Sequence, residues 1–280
     1  MTIATQTETT DHHDFYDRQY AKFGSALAAE IRREVYGVDL GQLSWRTLDE
    51  QAEIAELIKE QSPSRVLDIA CGSGGPSLAL SSSTGCRLTG VDIEEAAIAE
   101  AKQRSEAGRL TERSEFFVAD CNQRLPFDDG AFDVVVCIDA VLHLRDRFAA
   151  LADWFRLLKP GGKLLFTDAG VLTGAVSKQE FDIRASHGYC VLVPPGVNEQ
   201  AIAQAGFRLR RQSNATPSLA DITHRLVAAR EARSQALREE EGNDWFAWRQ
   251  SYLSMIENLA VSGRLSRFLY VADKPMQRSA

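Results

Sequence analysis

Val66-Leu67-Asp68-Ile69-Ala70-Cys71-Gly72-Ser73-Gly74-Gly75 is the stretch that decides the fold. Its apolar first half predicts a buried strand, and its glycines predict a tight turn that opens a helix. Glycines remove the side chains that would block a ligand and tolerate the dihedral angles of the turn, so backbone N–H groups can approach a bound molecule closely. The stretch therefore predicts a nucleoside-cofactor site.

The next acidic residue on a strand narrows the kind of cofactor. Cys86–Asp92 predicts a second strand, and its terminal carboxylate lies about 20 positions after the turn, where it can accept hydrogen bonds from ribose hydroxyls. Nicotinamide-binding and S-adenosylmethionine (SAM) binding domains share this feature. Ser77 occupies the place of the third glycine of a dinucleotide site, and Asp68 would repel a pyrophosphate but attract the ammonium group of a methionine moiety. Both residues disfavour a nicotinamide-dependent oxidoreductase.

Three further strand patterns follow. Phe116–Cys121 predicts a third strand whose Asp120 could accept a hydrogen bond from an adenine amino group. Phe132–Asp139 predicts a fourth strand, and Leu157–Phe166 predicts a helix end, a tight turn and a fifth strand. Strands that alternate with helices require a parallel sheet, and ligands bind such sheets outside the carboxyl ends of the strands. The four strand-end acids are therefore expected on one rim: Asp68, Asp92, Asp120 and Asp139.

In this order of landmarks, residues 60–170 resemble the class I SAM-dependent methyltransferases. The resemblance implies an α/β fold with a Rossmann-like, doubly wound, mostly parallel seven-stranded sheet, an antiparallel last strand and a helical cap. It implies SAM as cofactor and S-adenosylhomocysteine (SAH) as product. The family usually has glycine at Ala70, and we expect this alanine to keep ordinary dihedral angles. The implied cofactor-binding residues are Trp45, Asp68, Ala70, Gly72, Gly74, Asp92, Ile93, Asp120, Cys121 and Asp139.

Outside the core, sequence patterns divide the chain into several expected regions. Thr47-Leu48-Asp49-Glu50 is a capping box that predicts a helix to about Gln61. Residues 170–195 lack clear periodicity and predict a functional loop or lid. The expected regions are a disordered tail (1–12), an N-terminal helical cap (13–62), a cofactor-binding core (63–170), a substrate loop with a helix and strand (171–216), a helical cap insertion (217–264), and a final core strand with a tail (265–280).

The substrate side offers several polar and aromatic candidates. His143 follows the fourth strand, and an imidazole that titrates near neutral pH can act as a general base or orient the substrate; it could equally cap the next helix. The Asn/Asp-Pro-Pro-Tyr motif of methyltransferases that act on amines of nucleic-acid bases is absent from this position. Aromatic N-terminal helices and the lid could cover the site. The expected substrate-binding residues are Tyr16, Tyr20, His143, His187 and Tyr189.

Composition limits the partners. The net charge of −7 disfavours a nucleic-acid partner, because phosphate backbones are bound by basic surfaces. The five cysteines form no C-x-x-C pair, which predicts free thiols in a reducing compartment and no metal site. A signal peptide and an 18-residue apolar run are both absent, so we expect a soluble, cytoplasmic protein without a membrane partner. A monomer or a homodimer is expected.

Three short stretches indicate the small-metabolite branch. Gly41–Trp45, Val193–Gly196 and Leu265–Tyr270 make the chain broadly similar to the sarcosine and dimethylglycine methyltransferase group. The resemblance implies methyl transfer by in-line displacement to an oxygen or nitrogen of a small organic metabolite. Two alternatives stay open: a C-methyltransferase that acts on a small aromatic or isoprenoid-like molecule, and a non-catalytic SAM-binding protein.

Overall fold

One seven-stranded sheet forms the centre of the protein in the computed structural model, which describes residues 10–61, 64–186 and 189–276. The strands follow the order β3-β2-β1-β4-β5-β7-β6, and β7 runs antiparallel to both of its neighbours. They are β1 (Arg65–Ile69), β2 (Arg87–Asp92), β3 (Ser114–Val118), β4 (Phe132–Cys137), β5 (Leu158–Leu172), β6 (Arg208–Asn214) and β7 (Leu265–Asp273). The predicted fold class is confirmed.

Helices cover both faces of this sheet and one of its edges. They are α1 (Thr10–Ala21), α2 (Ala26–Tyr36), α3 (Leu48–Lys59), α4 (Gly75–Thr84), α5 (Glu95–Ala107), α6 (Arg147–Leu157), α7 (Lys178–Arg184), α8 (Val197–Gln204), α9 (Thr216–Glu231), α10 (Ser234–Glu241) and α11 (Asn243–Val261). Apolar residues of α3, α4 and α5 pack on one face, and those of α6 and α8 pack on the other. Helices α2, α9, α10 and α11 form two further apolar clusters, which make up the cap.

Helix α3 shows how the cap joins the core. The Thr47 hydroxyl accepts a hydrogen bond from the Glu50 backbone N–H, as the capping box predicts. The Glu50 carboxylate does not complete the box as expected. It accepts instead from Nη1 of Arg267 on β7, at 2.8 and 2.9 Å, because a buried guanidinium is the stronger partner.

Two regions differ from the expected organisation. The segment 170–195, expected to lack regular structure, contains two regular elements: β5 continues to Leu172, and α7 lies within the segment, where Ser177 and Glu180 form a complete capping box. Helix α1 begins at Thr10, so the last part of the expected tail is helical. Residues 1–9 of that tail lie outside the described residues.

Across the three described ranges, no helix has both the length and the apolar character needed to cross a bilayer. Within the same ranges, no three His, Cys, Asp or Glu side chains come together as metal ligands.

Candidate active site

A cavity of about 980 Å³ lies at the carboxyl ends of β1, β2, β3 and β4. Helices α1, α7 and α11 contribute to its walls, together with the segment 41–46. All of the sequence-predicted cofactor residues line it except Gly74, which is the N-cap of α4 and lies against Phe116 and Ala101. Of the predicted substrate residues, Tyr16, Tyr20, His143 and Tyr189 line the cavity, and His187 lies outside the described residues.

The turn after β1 has a left-handed backbone at three positions. Gly72 and Gly74 have φ of 55° and 69°, which glycine adopts without strain. Ala70 has φ of 56°, so the expectation of ordinary dihedral angles was wrong. An alanine in this region costs about 1–2 kcal/mol, because its Cβ approaches the following carbonyl oxygen. The turn therefore contains some backbone strain at Ala70.

Asp92 connects this turn to the end of β2. Its Oδ2 accepts a hydrogen bond from Gly72 N at 2.8 Å, and its Oδ1 accepts from Glu94 N at 3.0 Å. Burial raises the pKa of the carboxyl, whereas these backbone donors oppose the rise. Each carboxylate oxygen keeps further acceptor capacity toward the cavity.

Asp68 and Arg46 carry opposite charges and lie near one another, but they form no ion pair. Ser77, at the position of the missing third glycine, donates a short hydrogen bond from its hydroxyl to Asp68 Oδ2. Burial raises the pKa of Asp68 to about 6, and the nearby Arg46 partly offsets this shift. Nη1 of Arg46 is buried and has no hydrogen-bond partner among the described residues. A ligand with both an acidic and a basic group would satisfy both side chains.

The rim beyond β2 and β3 combines an apolar side chain with a carboxylate. Ile93 keeps 39% of its surface exposed although it lines the cavity. The Asp120 carboxylate accepts from the backbone and side-chain N–H groups of Asn122, both at 2.9 Å. Burial raises the pKa of the Cys121 thiol to about 12, so this side chain is neutral. An apolar wall beside an oriented carboxylate suits a purine ring that carries an amino group.

Asp139 lines the cavity, but its carboxylate belongs to a buried network. Oδ1 accepts from Thr167 Oγ1 at 2.7 Å and from Arg267 Nε at 2.6 Å. Oδ2 accepts from the backbone N–H of Trp45 at 3.0 Å. The residue thus fixes the wall that carries Trp45, a structural role that its position after β4 does not reveal.

His143 forms a defined pair with Tyr16. Its Nδ1 lies 2.9 Å from the Tyr189 carbonyl oxygen, which can only accept, so Nδ1 carries a proton. In the neutral imidazole Nε2 is then the basic nitrogen, 3.4 Å from the Tyr16 hydroxyl. Burial holds the pKa of Tyr16 well above its usual value, so this phenol stays protonated and acts as a donor. The Tyr20 hydroxyl lies instead beside Gly72, on the turn side of the cavity.

The sequence did not single out four of the charged and aromatic lining residues: Arg46, Arg184, Arg249 and Tyr252. Arg46 directly follows Trp45, a predicted cofactor-binding residue, so its place in the cavity could have been predicted from the sequence. Arg249 and Tyr252 lie about one helical turn apart on α11. No local pattern shows that Arg184 on α7 reaches the same cavity.

Comparison with known proteins identifies the domain at the centre of this site. Residues 67–166 match the family model described as a methyltransferase domain. They form a class I SAM-dependent methyltransferase domain. The match begins inside β1 and ends inside β5, so this methyltransferase domain carries the turn and the acidic rim. SAM is the cofactor of such domains.

Two solved structures share the fold of the methyltransferase domain and its cap. A proposed sarcosine dimethylglycine methyltransferase from Galdieria sulphuraria has a TM-score of 0.77 at 17% identity and covers 95% of this chain and 98% of that one. Phosphoethanolamine N-methyltransferase 2 of Haemonchus contortus, in complex with SAM, has a TM-score of 0.78 at 22% identity and covers 97% of this chain and 62% of that one. These likenesses show the fold.

A curated relative matches a shorter part of this chain. It is 27-O-demethylrifamycin SV methyltransferase of Amycolatopsis mediterranei, 29% identical over 149 residues, which are 50% of this chain and 54% of the relative. The chain thus spans about half the length of this relative. The two named methyltransferases act on different acceptors, a rifamycin derivative and phosphoethanolamine, so the similarity leaves the acceptor atom open.

Proposed function

We propose that this chain transfers the methyl group of SAM to an oxygen or nitrogen of a small organic molecule bound in the cavity. The observation that carries the proposal is that the acidic rim of the methyltransferase domain and the His143–Tyr16 pair line the same enclosed space. When bound, SAM supplies an electrophilic methyl group on a sulfonium. The protein's main task is to hold nucleophile, carbon and sulfur in line, and such positioning can supply about 7–11 kcal/mol of the barrier.

The residues present fit SAM. Its methionyl end is a zwitterion, which Asp68 and the buried Nη1 of Arg46 would hold by the ammonium and the carboxylate respectively. Asp92 would accept from the ribose hydroxyls, and Gly72 leaves the turn open because it has no side chain. Ile93 and Asp120 would line the adenine. The ligand would thereby neutralise two buried side chains that lack an ion pair with one another.

His143 is proposed to take the acceptor's proton. Its Nδ1–H is held by the Tyr189 carbonyl, which directs the basic Nε2 toward Tyr16 and the cavity. An acceptor hydroxyl that displaces the long Tyr16 contact would lose its proton to Nε2 as the methyl group is transferred. An acceptor ammonium would lose its proton to Nε2 before the transfer, because only the neutral amine has an electron pair that can attack the methyl group. Tyr16 would then donate to the acceptor and orient it.

A methyl-transfer assay with labelled SAM and a panel of amines, carboxylic acids, phenols and phosphate esters tests this proposal. We expect label to pass to at least one small molecule, with SAH formed in equal amount. The position of the new methyl group, read by NMR, would distinguish N-, O- and C-methylation. Release of label to water alone, or no turnover with any compound despite tight SAH binding, would contradict methyl transfer and favour the non-catalytic SAM-binding protein.

C-methylation is the second candidate, because the cavity is rich in aromatic side chains. Phe15, Tyr16, Tyr20, Trp45 and Tyr252 all line it. A carbon nucleophile needs a water-excluding pocket, and aromatic faces also stabilise developing positive charge on an acceptor. A new methyl group on carbon, with the His143→Gln variant close to full activity, would favour this candidate.

We also propose a cytoplasmic location and no nucleic-acid partner. The described cysteines are all free, which suits a reducing compartment, and the net charge of −7 opposes binding to phosphate backbones. Whether the chain acts as a monomer or a homodimer stays a prediction, which sedimentation equilibrium would test.

A further inference from the structure

The end of the cavity beside Tyr252 carries two guanidinium groups. Arg249 on α11 and Arg184 on α7 both line this end, and both guanidinium groups flank the ring of Tyr252. Their Cζ atoms lie 5.8 Å (Arg249) and 6.0 Å (Arg184) from its centre. The cavity is thus lined by carboxylates from the strand ends and by two guanidinium groups beside Tyr252.

The described contacts of the Arg249 guanidinium are with neutral groups. Its guanidinium lies 5.1 Å from the ring centre of Phe15, and with the Gln19 amide oxygen turned toward it both Nη atoms donate, at 3.2 and 3.3 Å. Among the described residues, no carboxylate comes within salt-bridge distance of it. The loss of water around the guanidinium and the charge of Arg230 lower the pKa of Arg249 to about 10. Its charge is thus held there at an energetic cost that neutral contacts only partly offset.

Four buried arginines among the described residues are each matched to a carboxylate. Removing a guanidinium from water without an anion is costly, and most of the buried arginines follow this rule. These pairs are Arg32 with Asp39, Arg147 with Asp168, Arg230 with Glu241, and Arg267 with Asp139. Arg249 departs from this pattern at a wall of the cavity, where a ligand could supply the missing charge.

Arg184 is fixed beside the same space. Nη1 donates to the Tyr252 hydroxyl at 3.1 Å, and the guanidinium lies 5.9 Å from the ring centre of Trp45. Asp168, an acid whose charge acts on Arg184, already binds Arg147 and Asn198, at 2.8 Å each. Arg184 and Tyr252 therefore form a rigid donor surface next to Arg249.

We propose that Arg249 and Arg184 bind an anionic group of the methyl acceptor, a carboxylate or a phosphate. This inference rests on the function proposed above and names its substrate class: a small organic acid that carries its nucleophilic oxygen or nitrogen away from the acidic group. The guanidinium groups beside Tyr252 attract that group and the strand-end carboxylates repel it, so charge favours an acceptor whose anionic group lies against α7 and α11. Planar guanidinium forks suit both anions, because each can accept two parallel hydrogen bonds.

The test measures anion binding separately from turnover. Sodium phosphate and sodium acetate are titrated into the SAH-saturated protein at constant ionic strength, with chloride as the reference, and binding is followed by calorimetry and thermal shift. We expect at least one of the two anions to bind the wild-type protein with a Kd in the range of about 1–10 mM. Phosphate binding without acetate binding would indicate a phosphate ester as the acceptor, and the converse would indicate a carboxylic acid.

Arg249→Met and Arg249→Lys are the test variants. Methionine removes the charge and the hydrogen-bond donors, so we expect about 10- to 100-fold weaker anion binding. Lysine keeps the charge but lacks the planar, two-pronged guanidinium, so the anion affinity of Arg249→Lys should lie between those of the wild type and Arg249→Met. SAH affinity should stay within about twofold of the wild-type value, which shows that both variants fold. Arg238→Met is the matched control, because Arg238 also lies over an aromatic ring, Phe246, at 4.3 Å, but is exposed and outside the cavity.

The outcomes separate this inference from the proposed function. Wild-type protein that binds neither anion up to about 50 mM, or Arg249→Met protein that binds SAH and the anion as tightly as wild type, would overturn the anion site. Anion binding that depends on Arg249, in a protein that transfers no methyl group, would support the site and contradict the proposed function. Turnover of neutral acceptors only would leave methyl transfer intact and overturn the anion site.

Discussion

Arg267 and Asp139 form a buried ion pair in which Nε donates to Oδ1 over 2.6 Å, although 128 positions separate them in the sequence. Arg267 also binds Glu50 of α3, and Asp139 also accepts from the Trp45 backbone. One guanidinium therefore joins the last strand, the end of β4 and the start of the cap. The wall of the cavity next to the methyltransferase rim depends on this pair.

Arg267→Met should destabilise the protein strongly. Its removal leaves the buried carboxylate of Asp139 and the partly buried one of Glu50 without their cationic partner, which costs about 3–5 kcal/mol in the free energy of unfolding. Urea unfolding of both proteins measures this change in the free energy of unfolding. Arg210→Met is the control: Arg210 binds Asp273 at the surface, and its loss should cost no more than about 1 kcal/mol. Equal effects of the two substitutions would contradict the role given to Arg267.

Ala70→Gly should stabilise the protein, because glycine relieves the left-handed strain at φ 56°. After allowance for the greater entropy of glycine in the unfolded chain, we expect a gain of about 0.5–1 kcal/mol in the free energy of unfolding. Ala99→Gly in the exposed face of α5 is the matched control and should lose about the same amount. A loss of stability in the Ala70→Gly variant would show that the backbone of Ala70 is unstrained.

Asp68→Asn should separate stability from cofactor binding. The folded-state pKa of Asp68, about 6, lies above its usual value, so this group lowers the stability of the ligand-free protein as pH rises from about 4 to 6. The asparagine variant should therefore unfold at a higher temperature than wild type at pH 7, while its SAM affinity falls at least tenfold.

The same carboxyl predicts a pH dependence of SAM binding. Below about pH 6 Asp68 becomes protonated, and wild-type affinity should fall by up to about tenfold for each pH unit. Calorimetry between pH 5 and 8 should show this fall for wild type, with a much flatter profile for Asp68→Asn. Parallel profiles for both proteins would assign the titration to another group.

His143→Gln should lower kcat about 10²- to 10⁴-fold for an acceptor that must lose a proton, and SAH affinity should not change. Its residual rate should rise with pH as the acceptor deprotonates in solution. His224→Gln is the control, because His224 is exposed on α9 and pairs with Glu257 at 2.7 Å. A His143→Gln enzyme with unchanged kcat and pH profile would exclude a proton-transfer role.

The sequence predicted the methyltransferase core well because its signals are local. The turn after β1 and the acid at the end of β2 follow directly from short apolar runs and glycines. α7 was missed although Ser177 and Glu180 carry a capping box, since its seven residues are too few to show periodicity.

The remaining features depend on contacts between distant segments. Arg249 meets Gln19 from another helix, and Arg267 meets Asp139 across the sheet, so neither partner can be read from spacing. The dihedral angle of Ala70 likewise follows from how the turn packs against β2. Tertiary contacts of this kind override local preference, and only the folded structure reveals them.

The most direct test of the account is calorimetric titration of the wild-type protein with SAH and, separately, with NAD. The acidic rim at Asp68 and Asp92 predicts binding of one SAH per chain with a Kd in the range of about 1–100 µM, and no heat of binding for NAD. Binding of NAD without SAH would contradict the cofactor site on which the proposed methyl transfer depends.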